Sequence, residues 1–465
     1  MTKTIIRKTA LAALACLACL HAFGQEIAGD WNGVLKIQQV ELRLVLHISR
    51  TDAGYSATMD SPDQGATGIP VTSISFENPA LKFSVDGLRL RYEGALNADG
   101  AIAGTFYQGS VSLPLNLEKG SGKEETRRPQ EPARPFPYYE EDVRFDNVAA
   151  GIRLAGTLTL PQKEGRFPAV VLISGSGAQD RNEEVFNHKP FLVIADHLTR
   201  NGIAVLRFDD RGTASSSGTF KMSTTLDFSK DAEAAVAWLK TRKEVDPHKI
   251  GLVGHSEGAI IAPMLASRSG DIAFIVMLAG SGVRGDKLLL AQQELIGRAS
   301  GMSEADIEEN RIFHAKAFNI MIEAETQEEV TARLSDYLRQ LMGDASGAGV
   351  DDNLVRNEVE KLADPWILYL LKHDPSADIE KVKCPVLALN GEKDLQVPPE
   401  MNLDAIRLAL AKGNNNRATL RQLPGLNHLF QECTTGALTE YGRIEQTFSP
   451  AALDIMTQWI GEQTR

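Results

Sequence analysis

From Gln25 to about Leu117, apolar positions tend to recur at every second residue. Leu42, Leu44, Leu46 and Ile48 alternate with Arg43, Val45 and His47, the period of a strand with one face buried. Comparable short runs follow at Tyr55 to Met59, Leu81 to Val85, Leu88 to Leu96, Ala101 to Tyr107 and Val111 to Leu117. Asp52-Ala53-Gly54, Asp86-Gly87 and Asn97-Ala98-Asp99-Gly100 separate them with residues that accept positive φ or close tight bends. The pattern predicts a small antiparallel barrel or sandwich over residues 25–119, with Trp31 near its start. His47 reads as a strand residue facing solvent, not as a ligand. The segment carries no catalytic constellation, and its sequence names no ligand for it.

Residues 120–137 break the pattern with Gly120-Ser121-Gly122, a mixed charge run, and Pro129, Pro132, Pro135 and Pro137. Such a stretch resists both helix and sheet and reads as a linker. Over 138–465 short apolar runs alternate with amphipathic segments. The predicted strands are Val143 to Phe145, Leu154 to Leu160, Ala169 to Ile173, Ala204 to Phe208, Ile250 to Val253, Phe274 to Leu278, Val386 to Asn390 and Ala418 to Leu423. Helices lie between them, one with Phe228, Ala232, Ala235 and Leu239 on a single face. This alternation predicts an α/β domain with about eight strands, mostly parallel, covered on both faces, and with function at the carboxyl ends of the strands. At about 284–378 the alternation stops. That stretch is charged and helical, with capping boxes at Ser303 to Asp306 and Thr326 to Glu329 and a glycine-rich break at Gly343 to Gly349. It reads as a helical lid inserted over the strand ends, the alternative being a surface decoration remote from any site.

Composition changes this picture in two ways. A net charge of −12 over 465 residues argues against nucleic acid, whose binding needs a basic surface to displace counterions. At the start of the chain, Lys3, Arg7 and Lys8 precede an apolar run from Thr9 to about Leu20, and Ala22-Phe23-Gly24 offers small residues for cleavage. Residues 1–24 therefore read as a secretory signal peptide, too short for a comfortable span, and no later stretch is long and apolar enough for a stable one. A lipoprotein signal at Cys16 or Cys19 is the less favoured alternative. Export places the mature chain in the periplasm or outside the cell. Its remaining cysteines, Cys384 and Cys433, are expected at opposite ends of the same sheet and unbonded. Nothing resembles a zinc pattern.

The chemistry concentrates at Gly254-His255-Ser256-Glu257-Gly258, where an apolar run passes through a glycine-flanked serine into a small-residue helix. A serine on a sharp strand-to-helix turn is an exposed nucleophile, and the helix N-terminus behind it favours developing negative charge. Where the strands resume, Gly391-Glu392-Lys393-Asp394 leaves the carboxyl end of a predicted strand, and Leu423-Pro424-Gly425-Leu426-Asn427-His428 follows the last one. Ser256 as nucleophile, Asp394 as acid and His428 as base form a candidate catalytic triad in the chain order of α/β-hydrolases. The backbone N–H of Glu257, with that of Ser176 or, failing it, Gly177 in the glycine-rich Ser174-Gly175-Ser176-Gly177 loop, is the candidate oxyanion hole. That loop fits neither a phosphate-binding nor a dinucleotide fingerprint, so no cofactor or metal is expected.

Residues 138–465 resemble the α/β-hydrolase superfamily, and within it secreted bacterial esterases grouped with the serine aminopeptidase and dienelactone hydrolase-like families. The resemblance rests on Ile173 to Arg181, Phe208-Asp209-Asp210-Arg211-Gly212, Gly254 to Gly258, Asp364-Pro365-Trp366, Gly391 to Pro398 and Asn427 to Gln431. Family members commonly have a second glycine after the Asp-Arg-Gly turn, where this chain has Ala214. The resemblance implies hydrolysis of a small-molecule carboxylic ester of small or medium acyl chain through an acyl-enzyme, without metal or organic cofactor. An aminopeptidase-like serine peptidase using the same triad is the alternative, and a non-enzymatic envelope-binding protein the least favoured reading.

Overall fold

The computed structural model describes residues 27–120, 127–346 and 351–465, apart from 38, 39, 53, 65 and 110. The expected signal peptide, 1–24, lies outside the described residues. The chain divides into two compact units, 1–125 and 126–465.

The first unit is a curled antiparallel sheet of nine strands: β1 (Gly29–Ile37), β2 (Val40–Thr51), β3 (Gly54–Ser61), β4 (Ala66–Pro70), β5 (Ser73–Glu77), β6 (Ala80–Val85), β7 (Leu90–Leu96), β8 (Ile102–Gln108) and β9 (Val111–Lys119). The order is β4-β3-β2-β1-β9-β8-β7-β6-β5. One sheet thus wraps its own core, Trp31, Leu46, Leu81, Tyr92, Ile102 and Leu115, as a half-barrel and not as two stacked layers. The edge strands β4 and β5 escaped the sequence pattern because each is five residues long and buries no residue fully, which leaves only a short signal. His47 is half-buried between Asp30 at 2.7 Å and Asp60 at 3.0 Å. Partial burial lowers its affinity for a proton, but the two carboxylates outweigh this and raise its pKa above the ordinary histidine value.

Within the expected linker, the described residues from 127 onward are docked on the second unit. Arg128 donates to the carbonyls of Ile444 (2.7 Å), Phe186 (3.1 Å) and Gly442 (3.1 Å). The Gln130 side chain donates to Phe448 O at 2.7 Å and accepts from Thr447 N and Phe448 N. Proline denies this stretch a ladder of its own, and long polar side chains anchor it instead.

The second unit carries all eight expected strands: β10 (Tyr139–Asn147), β11 (Ile152–Leu160), β12 (Phe167–Ile173), β13 (Ala204–Phe208), β14 (Val245–His255), β15 (Phe274–Leu278), β16 (Val386–Gly391) and β17 (Ala418–Leu423). Their order is β10-β11-β13-β12-β14-β15-β16-β17, with β10 and β11 antiparallel and the other six mutually parallel. Between and after the strands run α1 (Pro190–Arg200), α2 (Thr225–Leu239), α3 (Gly258–Ala266), α4 (Gly285–Ala299), α5 (Glu304–Glu323), α6 (Gln327–Ser346), α7 (Asp352–Leu362), α8 (Pro365–Lys372), α9 (Pro375–Ile379), α10 (Pro399–Lys412), α11 (Leu438–Tyr441) and α12 (Pro450–Gln463). Both faces of the sheet are covered, which is why inner strands such as β12, β13, β15 and β16 read as apolar runs, while the edge strands β10 and β17 keep exposed polar residues. Along β12, Ala169, Val171 and Ile173 pack on one side with α2, α3 and α10. Val170 and Leu172 pack on the other with α1 and α12. Each such valine or leucine withdrawn from water contributes roughly 1.5–3 kcal/mol.

Five helices, α4 to α8, fill the interruption between β15 and β16, with α9 leading back to the sheet. They share a core of their own around Phe318, Met321, Leu334, Val355 and Leu371. Ser303 and Thr326 cap α5 and α6 through the N–H groups of Asp306 and Glu329, and α6 continues through Gly343 to Ser346 where a break was expected. Leu370 in α8 packs on Ile260 and Met264 in α3, which ties this bundle to the helix behind Ser256. Cys384 and Cys433 are half-buried and unbonded, and burial pushes the Cys384 thiol up to about 11. Among the described residues no helix is long and apolar enough to cross a membrane.

Candidate active site

Because β12 to β17 are parallel, the loops leaving β12, β14, β16 and β17 emerge at one edge of the sheet. Those four loops carry every residue singled out by the sequence. Ser256 sits at the turn between β14 and α3 with φ +53°, and its N–H donates to Leu278 O at 2.9 Å. A left-handed, β-carbon-bearing residue here costs about 1–2 kcal/mol, and the two flanking glycines show what enforces it. A Cβ on Gly254 would lie 2.0 Å from Gly258 O, and one on Gly258 would lie 2.0 Å from Ile173 O. The backbone therefore folds back on itself so tightly that the serine is pushed outward, with the start of α3 beneath it.

Asp394 follows the end of β16 and is 2% exposed. Its Oδ1 accepts from the N–H groups of Gln396 and Val397, both at 2.8 Å. Its Oδ2 accepts from Asn390 Nδ2 at 3.1 Å and lies 2.8 Å from His428 Nδ1. His428, 4% exposed, sits in the loop after β17, which is knotted by Asn427 Oδ1 accepting from Leu429 N and Gln431 N. No hydrogen bond joins the Ser256 hydroxyl to His428 among the described residues; such contacts often tighten only around substrate.

The loop after β12 passes close to Ser256. A Cβ on Gly175 would sit 3.2 Å from Ser256 Cβ. Asp210 holds this loop from below, with Oδ1 accepting from Ser174 Oγ at 2.8 Å and Oδ2 from Gln179 N at 2.9 Å. Asp209 pins its far end through Arg181, by Nε at 2.9 Å and Nη2 at 2.7 Å. The N–H groups of Glu257, Ser176 and Gly177 donate to no protein acceptor among the described residues. The Glu257 side chain is turned inward, where Oε1 accepts from Thr225 Oγ1 at 2.7 Å and from Trp366 Nε1, in α8, at 2.8 Å. Burial raises both carboxyls: Glu257 above the usual range against the pull of those two donors, and Asp210 up to about 7 against Gln179 and Ser174. Beneath the loop, beside both carboxyls, lies a cavity of about 10 Å³, the size of a single water. Among the described residues no group of three or more His, Cys, Asp or Glu side chains is arranged to hold a metal.

Sequence reasoning overlooked Glu183 and set His255 aside. Glu183 Oε1 accepts from Gly175 N at 2.6 Å and lies 2.8 Å from His255 Nδ1, while His255 Nε2 lies 3.0 Å from His428 O. In the sequence Glu183 belongs to the polar run Asp180 to Glu184, which looks like a solvated loop and gives no sign of burial.

Esterase EstD of Thermotoga maritima is 32% identical over 245 residues, covering 53% of this chain and 50% of that protein. An uncharacterized protein of Mycobacterium tuberculosis is 32% identical over 126 residues, 27% of this chain and 41% of that one. The chain thus spans half or less of the length of these curated relatives. Among solved structures, an α/β hydrolase from Penicillium (TM-score 0.44, 16% identity, 70% of this chain and 99% of that one) is similar. So is a Pyrococcus furiosus esterase (TM-score 0.43, 17% identity, 74% and 100%). The model of the X-Pro dipeptidyl-peptidase (S15) family matches residues 150–407, which include Ser256 and Asp394 and end before His428. With more than half of its length matched by that model, the chain belongs to the X-Pro dipeptidyl-peptidase (S15) family.

Proposed function

We propose that this protein is a serine hydrolase that cleaves carboxylic esters of small or medium acyl chain through an acyl-enzyme. Ser256 Oγ attacks the ester carbonyl as His428 Nε2 takes its proton. Asp394 fixes the tautomer and stabilises the imidazolium. The N–H groups of Glu257 and Ser176, with Gly177 in reserve, receive the oxyanion, each such donor being worth about 10²–10³ in rate. His428 then returns the proton to the departing alkoxide, and water releases the acyl group by the same steps in reverse. The buried Asp394–His428 pair, with His428 O 3.0 Å from Nε2 of His255, the residue before a serine at φ +53°, supports the hydrolytic chemistry.

The ester preference rests on one observation. A peptidase that grips a free N-terminus needs a carboxylate facing the site, yet three acids near the elbow, Glu183, Asp210 and Glu257, are buried and held by protein donors. Glu183 serves Gly175 and His255, Asp210 serves Ser174 and Gln179, and Glu257 serves Thr225 and Trp366. The family match is what favours the second reading, a serine peptidase with the same triad. In either case α4 to α8 act as a lid, docked on the elbow through Trp366, and residues 1–24 direct export.

Steady-state hydrolysis of a chain-length series of p-nitrophenyl esters, beside aminoacyl and Xaa-Pro anilides, separates the readings. Short esters are expected to be cleaved, with Ser256→Ala losing on the order of 10⁶ in kcat. Anilide cleavage without ester cleavage would make the enzyme a peptidase. Inertness of wild type toward both would leave only a scaffold.

A further inference from the structure

Glu183 is spent in a way that stability alone does not account for. It stands at φ +53°, is 3% exposed, and leaves Oε2 buried without a partner. The left-handed backbone and the orphan oxygen both cost stability. A buried carboxylate–imidazole pair replaced by apolar residues of like volume generally loses nothing. What the carboxylate does achieve is geometric. Through the single atom Oε1 it reaches Gly175 N at 2.6 Å, in the loop close to the nucleophile, and His255 Nδ1 at 2.8 Å, in the residue before the nucleophile. His255 then reaches the backbone oxygen of His428 at 3.0 Å, and the two rings lie 4.9 Å apart. A carbonyl only accepts, so His255 Nε2 carries a hydrogen, and a second proton lies between Nδ1 and Oε1. Burial opposes charge on this ring, but Glu183 beside it outweighs burial, and the His255 pKa is raised.

We propose that Glu183 is a positioning residue: with His255 it forms a second acid–histidine pair, parallel to Asp394–His428, that sets the oxyanion loop, the nucleophile and the base loop in register from one oxygen atom. The assignment rests on the serine-hydrolase reading above. Three loops that start on separate strands have no common ladder to hold them within the few tenths of an ångström that a reacting serine needs. Glu183 Oε1 is the point at which two of them meet, and His255 extends the same chain of hydrogen bonds to the third.

Reach and charge can be separated by two conservative variants of the full chain. Glu183→Asp keeps the charge but withdraws the oxygen by one methylene, and Glu183→Gln keeps a carbonyl oxygen where Oε1 stood but removes the charge. The probe is a fluorophosphonate, which phosphonylates a reactive serine without need of the native substrate; the labelling rate and the final fraction of labelled Ser256 are read by mass spectrometry. Positioning requires Glu183→Asp to label at least 10-fold more slowly with every site eventually labelled, and Glu183→Gln to stay within threefold of wild type. His255→Leu is expected to slow labelling as Glu183→Asp does, and the His255→Leu/Glu183→Asp double variant to be no slower than the slower single one. The inference is overturned by Glu183→Asp labelling at the wild-type rate, by a slow average that reflects only a smaller reactive fraction, or by Glu183→Gln being as slow as Glu183→Asp. Wild type that fails to label at Ser256 would instead remove the serine-hydrolase reading, and this inference with it.

Discussion

His428 Nδ1 and Asp394 Oδ2 lie 2.8 Å apart, and the other oxygen of the same carboxylate is fixed by two backbone N–H groups, of Gln396 and Val397. With Asn390 Nδ2 also on Oδ2 at 3.1 Å, the carboxylate cannot rotate without breaking four bonds. In Asp394→Asn the amide oxygen is held where Oδ1 stood, so the NH₂ must face His428. That forces the ring into the tautomer with its hydrogen on Nε2, unable to accept the serine proton. A loss of about 10⁴ in kcat with little change in KM is expected, by analogy with the same change in another triad. A variant retaining most of its kcat would show that Asp394 does not set the tautomer.

The elbow tolerates no side chain at its flanks. A Cβ on Gly258 would stand 2.0 Å from Ile173 O and 2.8 Å from Ser174 O, both backbone atoms of the segment leading into the oxyanion loop. Gly258→Ala is expected to cost about 3 kcal/mol by overpacking and to displace that loop. Denaturant unfolding and serine labelling check this; an unchanged midpoint with unchanged labelling would mean that the turn is less tight than described.

Ala214 adopts a backbone conformation that favours glycine, with φ +46° and an exposed side chain. Its methyl group gains no packing to offset the left-handed conformation. Ala214→Gly should therefore stabilise the protein by about 0.5–1 kcal/mol, the strain released less the added freedom of the unfolded chain. Thermal melts at one pH decide the sign, and a lower midpoint for the glycine variant would contradict the strain.

Asp210 makes stability depend on pH. Burial holds its carboxyl up to about 7, against 3.8 when free. Between those values the folded chain keeps a proton that the unfolded chain has released. This group's contribution is therefore full below about pH 4 and declines as pH rises toward 7. Asp210→Asn retains an acceptor for Gln179 N and a partner for Ser174. It should be more stable than wild type above pH 7, by roughly 1–4 kcal/mol, with the advantage fading below pH 5. An advantage that does not vary between pH 4 and 8 would contradict the assignment.

What could be read directly from the chain is local or periodic. The inner strands of the second sheet appear in the sequence because a strand covered on both faces is apolar along its length, its edges β10 and β17 keep shorter apolar signals, and the elbow appears because Gly254, Ser256 and Gly258 meet a steric demand within five residues. Asp394 and His428 could be named because each follows a strand of a parallel sheet, whose carboxyl ends share one edge. The short strands β4 and β5 were not read, since five residues with none fully buried give too short a signal, although β5 does alternate through Ile74 and Phe76. Nor could one read the docking of residues 127 onward, which depends on carbonyls of Phe186, Gly442 and Ile444. The hydrogen bonds of Glu183, His255 and Trp366 belong to tertiary structure alone, although His255 and Trp366 lie in stretches that the sequence marks. Their bonds join residues 8, 173 and 109 positions apart, and a hydrogen bond has no period along a chain. The identity of a buried acid is set by what folds over it, so a glutamate in a polar loop becomes a pivot of the site only when β12, β14 and β17 bring their loops together.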